Sequence, residues 1–455
     1  MEINKEIFRS YDIRGIAGTE LTEEFAELLG KTFGSYIQEK GEKEVIVGHD
    51  CRESAEYLTR GLENGLISTG VKVYHIGMAT TPMVYYARKL LKTGPAIQIT
   101  ASHNPREYNG FKMCVEETEE SIYGDRIMEI YDYMMKGRFI AGNGSKEEIS
   151  IKEAYIEEIV NRIKPGMGNR KIKAVVDCAN ATASLITVEA LERLGVEIVP
   201  LYCTIDPTFP NHHPDPSVEK NMIDLSNKVK EVKADVGFGF DGDGDRIGLV
   251  DDKGNIIFGD IYMLIMWREV IKNNPGANAL VEVKCSQKLW DELEKLGAKP
   301  EFVRTGNPYI KAKMKEKNVP FSGEMSGHIF YRDEYYGFDD ALYAAARFLR
   351  MLSNTEEKVS EMLNNTKKYV TTQELTKNVA DDVKFELIEK VVNAFKILGY
   401  KVIDVDGARV IFDNGWGLIR ASNTSPKITM RFEATNEEEI ENIQKEFNKV
   451  LDEVM

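Results

Sequence analysis

The segment Ala96-Ile97-Gln98-Ile99-Thr100-Ala101-Ser102-His103-Asn104-Pro105 joins an apolar run typical of a strand to a polar loop. Because a proline breaks that loop, the Ser102 hydroxyl is presented at a strand end, towards a ligand and not a core. Two later stretches also place a polar motif directly after an apolar run, namely Asp241-Gly242-Asp243-Gly244-Asp245-Arg246 and Ser322-Gly323-Glu324-Met325-Ser326-Gly327-His328. Ligands lie at this end of the strands in open α/β sheets. The pattern therefore predicts successive α/β domains.

The alternation of strands, helices and polar breaks divides the 455 residues into four predicted domains. Three are similar α/β domains with mixed, mostly parallel sheets, and the last is a smaller α+β domain, with bounds at 1–150, 151–253, 254–366 and 367–455. Thr80-Thr81-Pro82 predicts a helix start, because a hydroxyl residue caps it and proline suits its first turn. An amphipathic pattern predicts another helix over Thr182 to Leu194.

Composition excludes several classes of function. The chain has 59 basic and 74 acidic side chains, a net charge of −15, which argues against general nucleic-acid binding. An anionic substrate would then need a locally basic or metal-assisted site. The five cysteines are scattered and never form CxxC, which predicts a reducing cytoplasm without a disulfide framework or zinc site. No apolar run is long enough to span a bilayer, and the first residues lack a signal-peptide layout.

Asp241, Asp243 and Asp245 alternate with glycine between two apolar runs. Alternate side chains of an extended loop point the same way, so the three carboxylates can converge. Two carboxylates ~4 Å apart repel by about 4 kcal/mol at an effective dielectric of ~20, which favours a cation among them. Oxygen ligands suit Mg²⁺. The alternative is a solvated acidic turn; an EF-hand fits poorly, because Arg246 and Asp252 stand where its glycine and glutamate should be.

Ser102 has two functional interpretations and one structural one. A hydrolase nucleophile would need a separately placed histidine, but His103 is its neighbour and no G-x-S-x-G surrounds it. Alternatively, Ser102 carries phosphate beside the Asp-bound metal, with Lys112 and Arg14 neutralising the charge. The structural alternative is a hydroxyl that caps a turn, with both cations lying on an ordinary surface.

Two further motifs carry polar side chains suited to a phosphosugar. Glu324, Ser326 and His328 alternate along one stretch and suit sugar hydroxyls, or else form a polar loop. The run Arg420-Ala421-Ser422-Asn423-Thr424-Ser425-Pro426, with Arg431 on the next strand, offers guanidinium, hydroxyl and amide groups. Such groups predict a phosphate cradle, or a simple Ser/Asn turn. His212 and His213 stand between prolines, which favours a loop or interface role over metal binding.

These motifs together resemble the α-D-phosphohexomutase superfamily, most closely its phosphomannomutase/phosphoglucomutase branch. The resemblance runs from Ile7-Phe8-Arg9-Ser10-Tyr11-Asp12-Ile13-Arg14-Gly15 to Arg431 and keeps the family's order. TASHNP looks like the phosphoserine loop, DGDGDR the metal loop, GEMSGH the sugar-binding loop and RASNTSP the phosphate-binding loop. The resemblance implies three α/β domains and a mobile fourth around a central cleft.

The resemblance also implies roles for individual residues. Ser102 would hold the phosphoryl group and would bind one Mg²⁺ together with Asp241, Asp243 and Asp245. The other residues of the transfer site would be Arg14, Tyr11, His103, Lys112 and Arg246. The substrate would be bound by Lys284, Gly306, Glu324, Ser326, His328, Arg420, Ser422, Asn423, Thr424 and Arg431.

The implied reaction interconverts hexose 1-phosphate and hexose 6-phosphate, of mannose or glucose, through a hexose 1,6-bisphosphate. Phosphosugars would be its partners, without nucleic acid or membrane, and the chain would be a monomer or homodimer. One departure concerns Asn307: relatives often have Arg-Thr-Gly-His-Ser where this chain has Arg304-Thr305-Gly306-Asn307-Pro308. Asparagine cannot shuttle a proton at neutral pH, which leaves Lys112 or His328 for that role. Phosphoglucosamine mutase and a non-catalytic phosphosugar-binding protein stay as alternatives.

Overall fold

A computed structural model describes residues 3–116, 121–380, 382–422 and 427–454 of the chain. The chain divides into two compact units. The first comprises Met1–Gly259 and Ser326–Met362, and the second comprises Asp260–Met325 and Leu363–Met455. Among the described residues, no helix has both the length and the apolar character needed to cross a membrane.

A mixed six-stranded sheet organises the start of the first unit. Its strands are β1 (Ile13–Ile16), β2 (Glu44–His49), β3 (Lys72–Met78), β4 (Ala96–Ile99), β5 (Tyr108–Cys114) and β6 (Ser145–Glu148), in the order β1-β5-β4-β2-β3-β6. Its helices are α1 (Glu23–Glu39), α2 (Ala55–Ser68), α3 (Thr81–Leu91) and α4 (Asp125–Lys136). β2 pairs in parallel with β3 and β4, whereas β5 runs antiparallel to β1 and β4. Phe33, Leu62, Ile97 and Phe111 are buried in its core.

The start of α3 agrees with the prediction from sequence. Thr80 is the N-cap residue, although its hydroxyl forms no capping hydrogen bond with the described residues. Pro82 lies in the first turn, where a missing N–H costs no helical hydrogen bond. The helix ends at Leu91, and the C-cap residue Lys92 adopts a left-handed conformation with φ of 53°. The N-terminus of α3 matters for the site, because the Thr81 amide donates a hydrogen bond of 2.9 Å to the Asp243 carbonyl.

A second mixed sheet follows in the same unit. After α5 (Lys152–Ile163) come β7 (Lys173–Asp177), α6 (Thr187–Arg193), β8 (Glu197–Leu201), α7 (Ile223–Val232), β9 (Val236–Phe240), β10 (Ile247–Asp251) and β11 (Ile256–Ile257), with the strand order β11-β10-β9-β7-β8. β7 is parallel to β8 and β9, and β9 forms an antiparallel hairpin with β10.

The helix predicted over Thr182 to Leu194 is interrupted. A 3-10 turn covers Thr182–Leu185, Ile186 has φ of −134° outside the helical region, and α6 begins at Thr187. The first turn is held by other segments: the Thr182 hydroxyl accepts a hydrogen bond of 3.1 Å from the Cys51 amide. The Thr182 amide donates one of 3.3 Å to the Gly242 carbonyl. These contacts outweigh the local helical pattern.

The second unit begins with a further α/β segment. Its elements are α8 (Gly259–Val270), whose first residue still belongs to the first unit, β12 (Asn278–Glu282), α9 (Gln287–Lys295), β13 (Lys299–Val303), α10 (Asn307–Lys317) and β14 (Phe321–Gly323). β12 and β13 are parallel. The chain then returns to the first unit with β15 (Ile329–Tyr331) and α11 (Ala341–Ser353). The Asp340 side chain caps α11 by accepting a hydrogen bond of 2.9 Å from the Tyr343 amide.

An antiparallel sheet and two helices complete the second unit, in agreement with the α+β prediction. The elements are β16 (Val370–Thr371), β17 (Leu375–Asn378), α12 (Lys384–Ile397), β18 (Lys401–Ile403), β19 (Ala408–Phe412), β20 (Gly415–Ala421), β21 (Lys427–Ala434) and α13 (Glu437–Val454). Val391, Phe395, Phe432 and Phe447 are buried between helices and sheet. Burial of this apolar surface gives the segment a core of its own.

Candidate active site

Ser102 lies in a strained loop at the carboxyl end of β4. It is 3% exposed and has φ of 52°, a left-handed conformation that is uncommon for a residue with a side chain. Its Oγ donates a hydrogen bond of 2.9 Å to Asp241 Oδ2 and lies 3.1 Å from His103 Nδ1. Its amide donates to Thr100 Oγ1 at 2.8 Å. The hydroxyl is therefore oriented towards the carboxylate motif.

The Ser102 loop is held by an arginine that the sequence reasoning missed. Arg52 is 3% exposed and donates hydrogen bonds of 2.6–3.0 Å to four backbone carbonyls, those of Ser102, Asn104, Pro105 and Tyr108. Its Nε donates to Asp50 Oδ2 at 3.1 Å, and Asp50 also accepts from Thr100 Oγ1 at 2.7 Å. Asp50 and Arg52 follow β2 as Ser102 follows β4, which is the one sequence signal that could have found them.

The three carboxylates of the metal motif are gathered in the hairpin between β9 and β10. Asp241, Asp243 and Asp245 are 0–1% exposed, and one oxygen of each lies within 4.8 Å of the others. Asp241 Oδ1 fixes the turn by accepting hydrogen bonds of 3.1 Å from the amides of Asp245 and Arg246. At Gly242 a Cβ atom would lie 2.2 Å from the Ser102 carbonyl oxygen, so only glycine allows this approach.

Lys112, on β5, is the cation nearest these carboxylates. Its Nζ donates hydrogen bonds of 2.7 Å to Asp243 Oδ2 and 2.6 Å to Asp245 Oδ2. Burial and the two neighbouring carboxylates raise the pKa of Asp241 well above its ordinary value. Burial would also raise the pKa of Asp243, but the Lys112 ammonium outweighs it and lowers that pKa. One ammonium thus leaves the cluster with excess negative charge.

The donor set fits a divalent metal ion. Asp243 Oδ1 and Asp245 Oδ1 are buried and have no hydrogen-bond partner within the described residues. A buried carboxylate oxygen without a partner is costly, and a bound cation would remove that cost. All three ligands are carboxylates, and the nearby Ser102 hydroxyl is a fourth oxygen, which suits a hard ion such as Mg²⁺.

The remaining residues predicted for the transfer site lie in the same unit. Arg246 Nε donates a hydrogen bond of 3.0 Å to His328 Nε2, and His328 Nδ1 lies 2.8 Å from Asp339 Oδ2. Asp339, which is fully buried, was not predicted from sequence. Arg14, on β1, donates to Asn104 Oδ1 at 2.9 Å and pairs with Asp12. Tyr11 is half-buried in the bend that precedes β1.

Lys284 and Arg431 are brought together in the second unit. Arg431 Nη1 donates to the Lys284 carbonyl at 2.5 Å and also contacts Met325 Sδ. The Lys284 ammonium lies 3.5 Å from Glu282 and 3.7 Å from Glu374. Burial would lower the pKa of Lys284, but these carboxylates outweigh it and raise that pKa.

Carboxylates position the other predicted groups of the second unit. Glu324 Oε1 accepts a hydrogen bond of 2.7 Å from the Gly306 amide. Asp406 Oδ2 accepts a hydrogen bond of 2.9 Å from Arg420 Nε and one of 3.1 Å from the Thr305 amide. Glu282 accepts from Thr305 Oγ1 at 2.7 Å and from the Met325 amide at 2.9 Å. Sequence reasoning did not single out Glu282 or Asp406.

Four predicted binding residues, Ser326, Ser422, Asn423 and Thr424, and the loop histidine His212 are described in less detail. Ser422 is buried, and its amide donates to the Lys427 carbonyl at 2.9 Å, whereas Asn423 and Thr424 lie outside the described residues. Ser326 is half-buried and belongs to the first unit, while Glu324 belongs to the second. The His212 ring lies 2.9 Å from Asp177 Oδ2 in a loop, as the loop interpretation expects.

Four profiles of one family match the chain in order. Their descriptions are "Phosphoglucomutase/phosphomannomutase", alpha/beta/alpha domains I, II and III, and its C-terminal domain, and they match residues 5–140, 153–254, 258–369 and 370–450. The chain belongs to the phosphoglucomutase/phosphomannomutase family. The resemblance inferred from the motifs is thereby confirmed.

Individual members of the family are similar over almost their whole length. The phosphomannomutase/phosphoglucomutase of Pseudomonas aeruginosa is 40% identical over 445 residues, which cover 98% of this chain and 95% of the relative. The phosphoglucomutase of Neisseria gonorrhoeae is 37% identical, with 99% and 97% covered. A crystal structure of a phosphoglucomutase/phosphomannomutase family protein from Burkholderia thailandensis has a TM-score of 0.92 at 38% identity, covering 100% of this chain and 98% of that one.

Proposed function

We propose that this phosphohexomutase interconverts the 1-phosphate and 6-phosphate of mannose, glucose or both, with Ser102 as its phosphoryl carrier. One observation carries the proposal: the Ser102 hydroxyl donates a hydrogen bond of 2.9 Å to Asp241, one of three converging buried carboxylates. A serine placed against a site that fits a divalent cation suits phosphoryl transfer better than hydrolysis. Family membership and the names of the relatives support the same reaction class.

In the proposed reaction, the phosphoryl group leaves Ser102 Oγ as a new phosphorus–oxygen bond forms to the free hydroxyl of the sugar phosphate. The proton of that hydroxyl passes to a base, and the product is a hexose 1,6-bisphosphate. Transfer of the other phosphoryl group back to Ser102 Oγ releases the isomer. Atoms and charge balance over the cycle, because each step exchanges one phosphoryl group between two oxygens.

Residues of the first unit supply positioning and charge for this transfer. Asp241, Asp243, Asp245 and Ser102 would hold Mg²⁺, which when bound neutralises negative charge on the transferring phosphoryl group. Lys112 and Arg14 contribute fixed cations, and Arg246 is placed by His328. Because Asn307 cannot accept a proton, the proposed base is Lys112 or His328, the two candidates that remain.

Residues of the second unit suit a phosphosugar. Arg420, Ser422 and Arg431, with Asn423 and Thr424, are proposed to bind the phosphate that is not transferred. Lys284 adds a further cation, Gly306 is proposed to line the substrate site, and Glu324 is proposed to bind sugar hydroxyls. Ser326, which belongs to the first unit, is proposed to bind sugar hydroxyls as well. The four matched ranges support the proposed domain bounds of 1–150, 151–253, 254–366 and 367–455.

The central test is phosphate on Ser102 together with turnover. Peptide mapping of the purified protein should find phosphate on the Ser102 peptide, and mutase assays should be run on glucose, mannose and glucosamine phosphates. We expect turnover of mannose or glucose phosphate, and loss of that turnover in Ser102→Ala. Ser145→Ala, an exposed serine on β6, is the matched control and should keep full activity.

Full mutase activity of Ser102→Ala would contradict the proposal. Turnover of glucosamine phosphate alone would identify the chain as a phosphoglucosamine mutase instead. Binding of phosphosugars without turnover by the wild-type protein would identify a binding protein. Each outcome is distinct, because the first concerns the carrier residue and the others concern the substrate.

A further inference from the structure

Cys178 and Cys203 have no role in the proposed reaction, yet their sulfur atoms are in contact. Cys178 Sγ and Cys203 Sγ lie 3.4 Å apart at the carboxyl ends of the parallel strands β7 and β8. Cys178 is fully buried, whereas Cys203 is partly exposed. The other three cysteines, Cys51, Cys114 and Cys285, are all buried. This pair therefore combines two adjacent thiols with access from solvent.

Backbone geometry places the Cys178 and Cys203 side chains next to each other. The register of β7 and β8 pairs Asp177 with Leu201, so Cys178 and Tyr202 come next along the two strands. Tyr202 has φ of 50°, which interrupts the alternation of side chains and brings Cys203 to the side of Cys178. Ala179 and Asn180 also have positive φ, at 48° and 58°. Strained non-glycine backbone of this kind is common at functional sites.

The geometry points to a reversible oxidation site: we propose that a hydroperoxide converts Cys178 and Cys203 into an intramolecular disulfide that regulates the adjoining metal loop. Parallel strands lie about 4.8 Å apart, a spacing that a disulfide can span. A disulfide S–S bond is about 2.05 Å long, so the sulfurs must approach by roughly 1.4 Å. A side-chain rotation with a small loop shift can supply this movement.

The chemistry needs no component beyond the hydroperoxide. The Cys203 thiolate attacks the outer peroxide oxygen, the O–O bond breaks, and a sulfenic acid forms with release of an alcohol or water. Cys178 then attacks that sulfur and loses its proton, which leaves with the hydroxyl group as water. Two thiols are thus oxidised by two electrons, and the peroxide is reduced by two.

Cys203 is the better first nucleophile of the two. Hydrogen bonding from Cys178 lowers the pKa of the Cys203 thiol, and its partial exposure admits an oxidant. Burial raises the pKa of the Cys178 thiol well above its ordinary value. Cys178 therefore suits the resolving role, since a buried partner in contact can act once the sulfenic acid has formed.

The segment after Cys178 connects this pair to the metal loop. Thr182, four residues further along, donates its amide hydrogen to the carbonyl of Gly242, which stands between Asp241 and Asp243. The loop after β8 is tied to the same segment, because Asn180 Nδ2 donates a hydrogen bond of 2.7 Å to the Thr204 carbonyl. Movement of either loop to close the disulfide would therefore shift the backbone that supports the carboxylates.

The test begins with the bond itself. The full-length protein is treated with one equivalent of hydrogen peroxide, alkylated and mapped without reduction. We expect one linked peptide pair that joins Cys178 to Cys203, lighter by two hydrogens and separated again by dithiothreitol. The linked pair should disappear in Cys203→Ser and in Cys178→Ser, and should persist in the control Cys114→Ser. Linkage to another cysteine, or only sulfinic and sulfonic acid at Cys203, would overturn the proposal.

The second readout concerns regulation and rests on the proposed mutase function, whereas the mapping does not. We expect peroxide to lower wild-type mutase activity by about 5-fold or more, with recovery in dithiothreitol, and to leave Cys203→Ser unaffected. A disulfide that forms without loss of activity would overturn the regulatory claim. If the reduced protein shows no mutase activity, the proposed function fails while the mapping still tests the disulfide.

Discussion

The carboxylate site of the first unit and the cationic site of the second unit are organised in opposite ways. In the first, Asp241, Asp243 and Asp245 come from five consecutive residues, and the Lys112 ammonium contacts the last two. In the second, Arg431 and Arg420 come from separate strands, and each is fixed by a hydrogen bond to another segment. The first site gathers carboxylates around one ammonium, whereas the second holds guanidinium groups in fixed positions.

This contrast predicts how substitutions in each site affect activity and stability. Like charges in a compact cluster repel one another when no counter-ion is bound. Removal of one carboxylate should therefore affect catalysis more than it affects folding stability. A site built from cations that hold backbone carbonyls is part of the packing of its unit. Arg409, fully buried on β19, shows this most clearly: it donates to the carbonyls of Val283 and Cys285, on either side of Lys284, at 2.7 and 2.8 Å.

The largest expected effect is that of Asp241→Asn on turnover. The amide keeps an acceptor for the two backbone N–H groups but removes a charged ligand, so kcat should fall about 10²–10³-fold. In buffer without divalent cations, the free energy of unfolding should rise by about 1 kcal/mol or more, because one repelling charge is gone. Assays with a magnesium titration and chemical denaturation in EDTA check both results.

Asp132→Asn, an exposed change on α4, is the matched control and should leave both quantities unchanged. An Asp241→Asn protein with normal kcat, or one destabilised in EDTA, would show that the carboxylate cluster is structural and not a cation site.

The next effect should be on stability, from Arg409→Met in the second unit. The guanidinium carbon lies 3.6 Å from the Trp416 ring centroid, and methionine would leave the two carbonyls beside Lys284 unpaired. We expect a loss of about 3 kcal/mol in the free energy of unfolding. Burial lowers the pKa of Arg409 to about 9, which reflects how little water reaches the group.

Urea denaturation measures the change. Arg60→Lys, an exposed arginine on α2 paired with Glu23 on α1, serves as the control and should cost less than about 1 kcal/mol. Equal losses of unfolding free energy in the two variants would show that the buried arginine contributes no more to stability than a surface arginine.

Gly242→Ala tests how closely the Asp241–Asp245 loop approaches the Ser102 loop. Its Cβ would overlap the Ser102 carbonyl oxygen, so the loops must separate, at a cost of about 2 kcal/mol. Activity should fall with stability, because Ser102 then moves away from Asp241. In the control Gly166→Ala, the Cβ would meet the flexible Arg350 side chain, which can move aside. Thermal melting and kcat together decide the outcome; an active and stable Gly242→Ala protein would contradict the observed approach.

The smallest predicted effect is that of Arg431→Lys on substrate affinity. Lysine keeps the charge but cannot donate to both the Lys284 carbonyl and the Thr371 hydroxyl with planar geometry. KM for the sugar phosphate should rise about 10-fold while kcat changes less than about 3-fold. A fall in kcat with unchanged KM would indicate that Arg431 acts in the transfer step and not in phosphate binding.

The contiguous site could be predicted from sequence because its geometry is local. Alternation of Asp and Gly indicates convergence of carboxylates, and a serine after a strand indicates a ligand-facing hydroxyl. The fold class followed from the same order of strands and motifs, and the family confirms it.

Residues that act through distant partners could not be predicted in this way. Arg52 binds carbonyls up to 56 positions away. Asp339 lies 2.8 Å from His328, on the other side of β15 in the sequence. For Arg52 the one local signal is its position after β2, and no comparable signal marks Asp339. The helix predicted over Thr182 to Leu194 was wrong only before Thr187, because contacts from Cys51 and Gly242 override the local pattern there.

The Arg52 contacts also bear on the entropy of the reaction. Ordering one residue of a loop costs about 1–2 kcal/mol, and a mobile loop would incur that cost each time a substrate binds. Because one guanidinium holds four carbonyls of the serine loop, that ordering is completed when the protein folds. In the proposed mechanism, each turnover then begins with the Ser102 oxygen already in place, and the loop that bears it contributes no ordering cost to the barrier.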